Sequence, residues 1–415
     1  MRILLLTDNY PPETNASALR CSAHAKRWAE RGNHVNVVTS FPNFPSGRIF
    51  AGYRQSLFRR ELIDGVDVVR VPTLVFANRG VVRRVLDFLS FMIAASIGSF
   101  FVQRADIVLA TSPQFFAGVA GWLASRIHRC PFLFEVRDLW PDSIVAVEAM
   151  KEGVGVRMIR RVEKFLYQQA NLIVVVTHSS RDILVDRAID PNKIIVITNG
   201  IDIDTLTPGA AAPELRQRLK MESKTVVSYI GTVGMAHGLQ LILDAASECL
   251  SRLPDVQFMI VGTGSELGAL RQQAERRGLA NVTFVGQVPH AEIVNYWRLS
   301  DITLILLRDA SLFRTVLPSK VFEAMATGTP IITNVRGELA GILESAGAGV
   351  VIEPNNSAAL VDSIEELVKH PARCKALAAA GVAAAKRYDR TELADTMLAA
   401  LQTLKRHMGD ARADT

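Results

Sequence analysis

The sequence predicts an α/β protein made of two doubly wound parallel-sheet domains, and three observations carry that expectation. Short Val- and Ile-rich runs recur along the 415 residues at a length suited to buried strands. Segments with helical periodicity lie between most of them, which is the strand–helix–strand order of a parallel sheet covered on both faces. The rhythm then restarts after a Pro-, Gly- and Ala-rich stretch at 207–213.

In the first half the expected strands are 3–6, 35–38, 66–71, 107–110, 132–135, 172–176 and 194–197, with helices at 17–31, 114–128 and 156–169. In the second half they are 226–230, 256–261, 282–285, 302–307, 330–333 and 349–352, followed by helices at 357–369, 372–387 and 390–407. The resulting division is a first domain at 1–198, a linker at 199–213, a second domain at 214–388 and a terminal helix at 389–415. Two domains suit this length, and 49% hydrophobic against 21% charged residues exclude disorder. The two domains are expected to face a central cleft, because wound sheets bind ligands beyond the carboxyl ends of their strands.

Four cysteines, Cys21, Cys130, Cys249 and Cys374, stand apart without a CxxC pair, so neither a disulfide framework nor a metal site is expected. The opening MRILLL reaches Thr7, Asp8 and Asn9 at once, too short for a signal-peptide core, so a cytoplasmic protein is expected. Charge is uneven. Residues 1–198 hold 25 Lys or Arg against 17 Asp or Glu, and residues 199–415 hold 22 against 24. A basic first half attracts phosphates, though a solvated surface without a phosphate partner has the same composition.

The apolar stretch within 79–104 is broken by Ser90, Ser96, Gly98 and Ser99 and flanked by Arg83, Arg84 and Arg104. It is too short to span a bilayer comfortably. A helix over the sheet is expected, with an interfacial helix at a membrane surface as the alternative that Arg54, Arg59, Arg60 and Arg79 favour.

Loops after strands hold the candidate site. GTVGMAHGL at 231–239 places Gly231, Gly234 and Gly238 before a helix, where backbone can approach a phosphate, although a tight turn needs glycine in any case. VGTGSE at 261–266 lacks the third glycine of a dinucleotide fingerprint, since Leu267 stands there. LPSKVFEAMATGTPII at 317–332 is the most informative segment. Pro318 suits a first helical position, leaving the Ser319 and Lys320 amides and the Lys320 charge for an anion, and Glu323 follows on the same face to receive sugar hydroxyls. A capped surface helix with a Lys–Glu pair would carry the same residues. In the first half, VRDLWPDS at 136–143 offers Asp138 to orient or deprotonate an acceptor hydroxyl and Arg137 to hold a phosphate. Trp140 there serves an acceptor pocket or packing. Glu13, Asn15 and Ser17 sit at another helix start. Asp202 and Asp204 imitate a DxD metal motif but read as loop or capping residues, so no metal is assigned.

In order, the PPE loop, TNGID at 198–202, the glycine turn, VGTGSE, NVTFVGQV at 281–288 and FEAMATGTPII resemble the retaining GT-B glycosyltransferases of family 4 over nearly the whole chain. That resemblance implies two Rossmann-like domains, with the acceptor on the first and a nucleotide-sugar on the second. It also implies a terminal helix returning to the first domain and transfer with retention without a required metal or cofactor. It implies that Glu323 holds the donor ribose, that Gly262, Thr263, Gly264, Gln287 and Val288 line the nucleotide, and that the donor site extends over Gly231, Thr232, Gly234, His237, Arg314, Leu317 and Ser319. The family's usual acidic residue eight positions before Glu323 is Thr315 here, and its Arg and Lys in the glycine turn are Thr232 and His237. The usual first-domain His is Arg137. Lys320, with Arg314, is then expected to neutralise the leaving diphosphate.

VRDLWPDS, GMAHGL and LPSKVFE are similar to a subgroup that adds amino sugars such as fucosamine in bacterial O-antigen or capsule assembly, on acceptors carried by polyprenyl diphosphate. The expectation is therefore a UDP-sugar donor, a lipid-linked glycan acceptor and a peripheral place at the inner leaflet, with no nucleic acid. Two rival classes share the architecture: a nucleotide-sugar epimerase, which would turn over donor alone, and a partner subunit that binds nucleotide or lipid without transferring anything.

Overall fold

The computed structural model describes residues 1–76, 81–112, 114–146 and 150–413. The chain divides into two compact units, Met1–Asn199 with Arg390–Thr415, and Gly200–Asp389.

The first unit holds eight strands: β1 (Arg2–Leu6), β2 (His34–Ser40), β3 (Arg59–Ile63), β4 (Val66–Val71), β5 (Ile107–Thr111), β6 (Phe132–Val136), β7 (Leu172–Val175) and β8 (Ile194–Val196). Their order is β3-β4-β2-β1-β5-β6-β7-β8. The central strands are continuous apolar runs because helices cover both faces, and every residue of β5 and β6 is buried. All neighbours are parallel except β3 with β4, an antiparallel edge hairpin. Strand β3 was not expected, since RRELI exposes both arginines and lacks the Val–Ile signature of its neighbours.

The helix Ala16–Glu30 starts where the Asn15 side chain accepts from the Ala18 amide. The terminal helix Arg390–Ala413 packs against it within this unit. Trp28 Nε1 donates to the Ala394 carbonyl at 2.9 Å, and Met397, Leu398 and Leu401 join a core with Ile3, Val35 and Trp28. Asp395 receives both Arg27 and Arg31 at 2.7 Å.

The questioned apolar stretch is the helix Val81–Gly98. Phe91 and Ala95 are buried, and a Cβ on Gly98 would lie 2.7 Å from Val71, so the glycine lets the helix end lie on the sheet. Among the described residues no helix is long and apolar enough to cross a membrane. Arg79 lies outside the described residues.

The second unit has β9 (Thr225–Ile230), β10 (Val256–Val261), β11 (Val282–Gly286), β12 (Ile302–Ile305), β13 (Ile331–Thr333) and β14 (Gly349–Val351). They are all parallel, in the order β11-β10-β9-β12-β13-β14. The chain winds one way from β9 to β10 and β11, and the other way to β12, β13 and β14. The switch point therefore lies between β9 and β12, where a crevice opens beyond the strand ends.

Of the stretch 199–213 expected as a linker, residues 200–213 belong to this unit and Asn199 to the first. Ile201 is buried and bridges Asp389, and Arg298 donates to the Thr207 carbonyl and hydroxyl at 3.0 and 2.8 Å. Side-chain anchoring holds down a stretch whose composition reads as loose.

Candidate donor and acceptor sites

A cavity of about 340 Å³ lies at the switch point of the second unit. Three strand-end loops and one helix start build it. From β9 come Ile230, Gly231, Thr232 and His237; from β10, Val261 and Gly262; from β11, Gln287 and Val288; and from the helix Lys320–Thr327, Pro318, Ser319, Lys320 and Glu323. Nine of these, Gly231, Thr232, His237, Gly262, Gln287, Val288, Ser319, Lys320 and Glu323, were expected donor residues from sequence, drawn together from positions nearly a hundred residues apart.

Both glycines of this pair are required by their backbone conformation, and Gly262 also by close backbone approach. Gly231 and Gly262 have φ of +144° and +133°, and a Cβ on Gly262 would lie 1.9 Å from the Gly231 carbonyl oxygen. The Gly231 amide bonds to the Val261 carbonyl at 2.9 Å, so the loops after β9 and β10 are zipped side by side. Gly264 serves the same seam, since its Cβ would lie 2.1 Å from the Val233 carbonyl oxygen.

The helix begins at Lys320 with Ser319 as its cap, two residues later than Pro318 suggested. The reason is local: the Val321 and Phe322 amides close tight turns onto the Pro318 and Ser319 carbonyls at 3.0 and 3.1 Å. The Ser319 and Lys320 amides have no acceptor among the described residues. They and the helix's positive end face the cavity.

Lys320 Nζ is buried without a hydrogen-bond partner and lies 3.8 Å from the centre of the Tyr229 ring. Burial pushes its ammonium down to about 7, against the pull of Glu323. The Tyr229 hydroxyl donates to the Thr232 carbonyl at 2.7 Å, which fixes the ring beneath the lysine. His237 stands edge-on to the same ring. Burial first and Lys320 second push its imidazole down to about 3, so it is neutral at pH 7. One ring nitrogen bonds the Leu306 backbone, leaving buried Nδ1 without a partner. The cavity thus presents an ammonium balanced near neutrality, a neutral imidazole and the Glu323 carboxyl group, a set suited to a phosphate beside hydroxyl groups.

Glu323 is held by Trp297, whose buried Nε1 donates to Oε2 at 3.0 Å. Trp297 and Tyr229 were not singled out from sequence: each lies inside an ordinary apolar run, and only the fold shows what it supports.

Other expected donor residues lie off the cavity lining. Gly234 starts the short turn Met235–His237, and the Thr263 carbonyl accepts from the Val233 amide at 2.9 Å. Leu317 is buried. Arg314 points outward, more than half exposed, beside Asp309 at 3.8 Å.

In the first unit the loop after β6 carries Arg137 and Asp138. Beneath it, burial opposes ionisation of Glu135, yet Arg20 and Arg137 hold its carboxyl down at about 2. Arg20 meets it at 2.9 Å and also donates to the Thr198 and Ile197 carbonyls. Arg137 Nη2 reaches Asn199 at a long 3.4 Å, while its Nε and Nη1 are buried without hydrogen-bond partners. Two guanidiniums against one carboxylate leave positive charge for an anion. Asp138 is exposed, and the surrounding protein pushes its carboxyl upward while Arg137 opposes that.

Trp140 is buried in an aromatic cluster, stacked on Phe115 with Phe88 and Phe116 edge-on. Glu13 is buried and accepts from the Asn43 and Phe44 amides at 2.8 and 2.7 Å, and Asn15 is the helix cap already described. Ser17 lines a cavity of about 130 Å³ with Asp8, Asp87, Thr111 and Gln114. Burial, Asp87 and Glu13 push the Asp8 carboxyl well up, against Ser40. Asp8 stands two residues after the end of β1, beside the first sheet's switch point, and that position was the signal that could have found it. Asp202 Oδ1 accepts from the Asp204 and Thr205 amides at 3.1 and 3.3 Å, forming a turn.

Two family descriptions match the chain: "Glycosyl transferase 4-like domain" over residues 17–200 and "Glycosyl transferases group 1" over 212–384. WcaI of Escherichia coli strain K12, described as a colanic acid biosynthesis glycosyl transferase, is 24% identical over 89% of this chain and 93% of its own. The glycosyltransferase WbjE of Pseudomonas aeruginosa is 25% identical over 64% and 66%. Among solved structures, Anabaena HepE with UDP and glucose superimposes with a TM-score of 0.73 at 21% identity, over 97% of this chain and all of the other. Sucrose-phosphate synthase from Thermosynechococcus elongatus gives 0.78 at 18%, over 99% of each. The fold is GT-B, and with both halves matched the chain belongs to the group 1, family-4-like glycosyltransferases.

Proposed function

We propose that this glycosyltransferase moves an N-acetylated amino sugar such as N-acetylfucosamine from a UDP-sugar to a saccharide on polyprenyl diphosphate. Transfer retains anomeric configuration and serves bacterial surface-polysaccharide assembly at the cytoplasmic face of the plasma membrane. The observation that carries the reading is the buried, unpartnered Lys320 Nζ at a helix start in a donor-sized cavity. HepE, solved with UDP, and relatives such as WcaI support the donor class and the setting.

In this reading the diphosphate lies on the Ser319 and Lys320 amides with Lys320 beside it, Glu323 takes the ribose hydroxyls, and the base rests along Gln287 and Val288. The bond from the sugar's anomeric carbon to the phosphate oxygen breaks, and its electron pair leaves with UDP. Lys320 and the helix end stabilise the charge that builds there. The acceptor oxygen bonds to the same face of the sugar and its proton passes to the departing phosphate, with Asp138 orienting the hydroxyl and Arg137 holding an acceptor phosphate. No residue is asked to form a covalent sugar intermediate, and no metal or cofactor enters the scheme.

The test is calorimetric titration with UDP and a panel of UDP-sugars, followed by transfer to a polyprenyl-diphosphate saccharide. UDP binding with acceptor-dependent release of UDP supports the reading. Conversion of donor without acceptor would make the chain an epimerase and end it.

A further inference from the structure

The helix Val81–Gly98 has two apolar faces, and the fold uses only one. At about 100° per residue, Leu86, Ile93 and Ile97 fall within roughly 40° of arc, and all three are exposed. Phe91 and Ala95 lie on the opposite side and are buried against the unit. The exposed stripe runs on into Phe100, which is 66% exposed, and Phe101. Phe101 stacks on Phe58 at 5.0 Å, next to Leu57, which is 87% exposed. Strand β3 adds Leu62 at the open edge of the sheet, a place where folds normally put charge rather than leucine.

This is one contiguous surface. Arg60 of β3 donates to the Phe101 carbonyl, and the amide of Leu74, itself an exposed leucine, donates to Ser90 of the helix at 2.8 Å. Its rim is basic: Arg54, Arg59, Arg60, Arg83 and Arg104 are all exposed. Of the acidic residues there, Glu61 is already paired with Arg59 and Arg70, and Asp64 sits at the turn of the β3–β4 hairpin. Asp67 lies opposite Leu62 and lines one cavity with Arg60, Phe100 and Phe101, so the exposed arginines still outnumber the carboxylates. An exposed apolar patch ringed by arginine fits a bilayer interface with anionic headgroups better than a neutral protein groove.

We propose that this face of the first unit docks on an anionic lipid bilayer. Ile93, Ile97 and Phe100 enter the headgroup boundary and the arginines engage lipid phosphates. The inference rests on the transferase reading only for why the protein would need a membrane, namely that a polyprenyl-linked acceptor lies in one. The surface itself stands on the first unit alone.

The experiment is co-sedimentation of the full chain with vesicles of phosphatidylglycerol and phosphatidylcholine, and with phosphatidylcholine vesicles, across salt. The expected result is binding to the anionic vesicles that weakens with salt. Ile97→Asp with Phe100→Asp should lose at least tenfold in binding, and Arg54→Glu with Arg83→Glu should lose the salt-sensitive part. Both variants should retain wild-type unfolding temperature and UDP affinity, because the donor cavity lies in the other unit. Failure of the wild type to bind anionic vesicles would overturn the proposal. So would equal binding by the apolar double variant, or a dimer in analytical ultracentrifugation that this variant dissolves without any vesicle binding. Loss of UDP binding in the wild type would instead strike the transferase reading and leave this one standing.

Discussion

Lys320 Nζ rests 3.8 Å from the centre of the Tyr229 ring, with no hydrogen-bond acceptor in its buried position. The ring face supplies a partial counter-charge that hydrogen bonds do not. A strongly anionic ligand satisfies the lysine better than a neutral one. Lys320→Ala should therefore lower kcat/KM by about 100- to 1,000-fold, mostly in kcat, because charge on the leaving diphosphate peaks in the transition state. Steady-state kinetics with a defined acceptor checks this, and unchanged kcat would remove Lys320 from the mechanism.

The same geometry sets a pH dependence. The ammonium of the unliganded protein sits at about 7, below its ordinary 10.5, because burial disfavours charge. A bound diphosphate favours the charged form and raises that value. The bonus to binding is therefore complete below pH 7 and fades as pH rises from 7 toward the liganded value. Isothermal titration with UDP should show affinity falling over that interval in the wild type. Lys320→Met should bind more weakly at pH 6.5 and show a flatter profile.

Gly262 should tolerate no side chain. Its φ of +133° and the Gly231 carbonyl 1.9 Å from an ideal Cβ mean that Gly262→Ala must part the two loops. A cost of roughly 3 kcal/mol or more is expected, with UDP binding lost. Gly278→Ala is the control: its φ is +64° but nothing lies within 4 Å of the added carbon, so about 1 kcal/mol from backbone strain alone is expected. Denaturant unfolding of the two variants separates crowding from strain.

These sites show which parts of the molecule could be read in advance. Continuous apolar runs such as those of β1, β5 and β6 announce buried parallel strands, and Pro318 to Glu323 announces a helix start with charge at it. Strand β3 could not be read, because its pairing is supplied by β4 and its own residues are mostly exposed. Residues 200–213 look like a linker by composition, yet Arg298, some ninety positions away, anchors them. The supports of the donor cavity were hidden for the same reason. Tyr229 and Trp297 have the composition of core residues and become informative only when the sheet brings Lys320 over one and Glu323 beside the other.

Trp297 is a positioning residue for Glu323. Its Nε1 holds Oε2 at 3.0 Å from inside the core, so the carboxylate is already aimed for the ribose of the proposed donor. Trp297→Phe keeps most of the buried ring and removes the donor. Losing one hydrogen bond to a charged acceptor costs about 1.5–3 kcal/mol, so KM for the UDP-sugar should rise about tenfold or more while kcat changes little. Glu323→Gln should raise KM in wild-type Trp297 but add little in the Phe variant. Additive losses in that double-mutant cycle would refute the coupling.

Glu135 is the keystone of the first unit's charge cluster. Burial alone would raise its carboxyl, but Arg20 and Arg137 hold it down at about 2, below its ordinary 4.5. A depressed folded-state value means stability present above pH 4.5 and lost as pH falls from there toward 2. Glu135→Gln removes that dependence and strands two guanidiniums, Arg137 already lacking partners at Nε and Nη1. Breaking one side of a buried ion pair costs about 3–5 kcal/mol. Urea unfolding at pH 7 should show that loss, and between pH 4.5 and 3 the wild type should lose stability faster than the variant. Parallel pH profiles would mean that Glu135 titrates normally and that Arg20 and Arg137 do not hold it ionised.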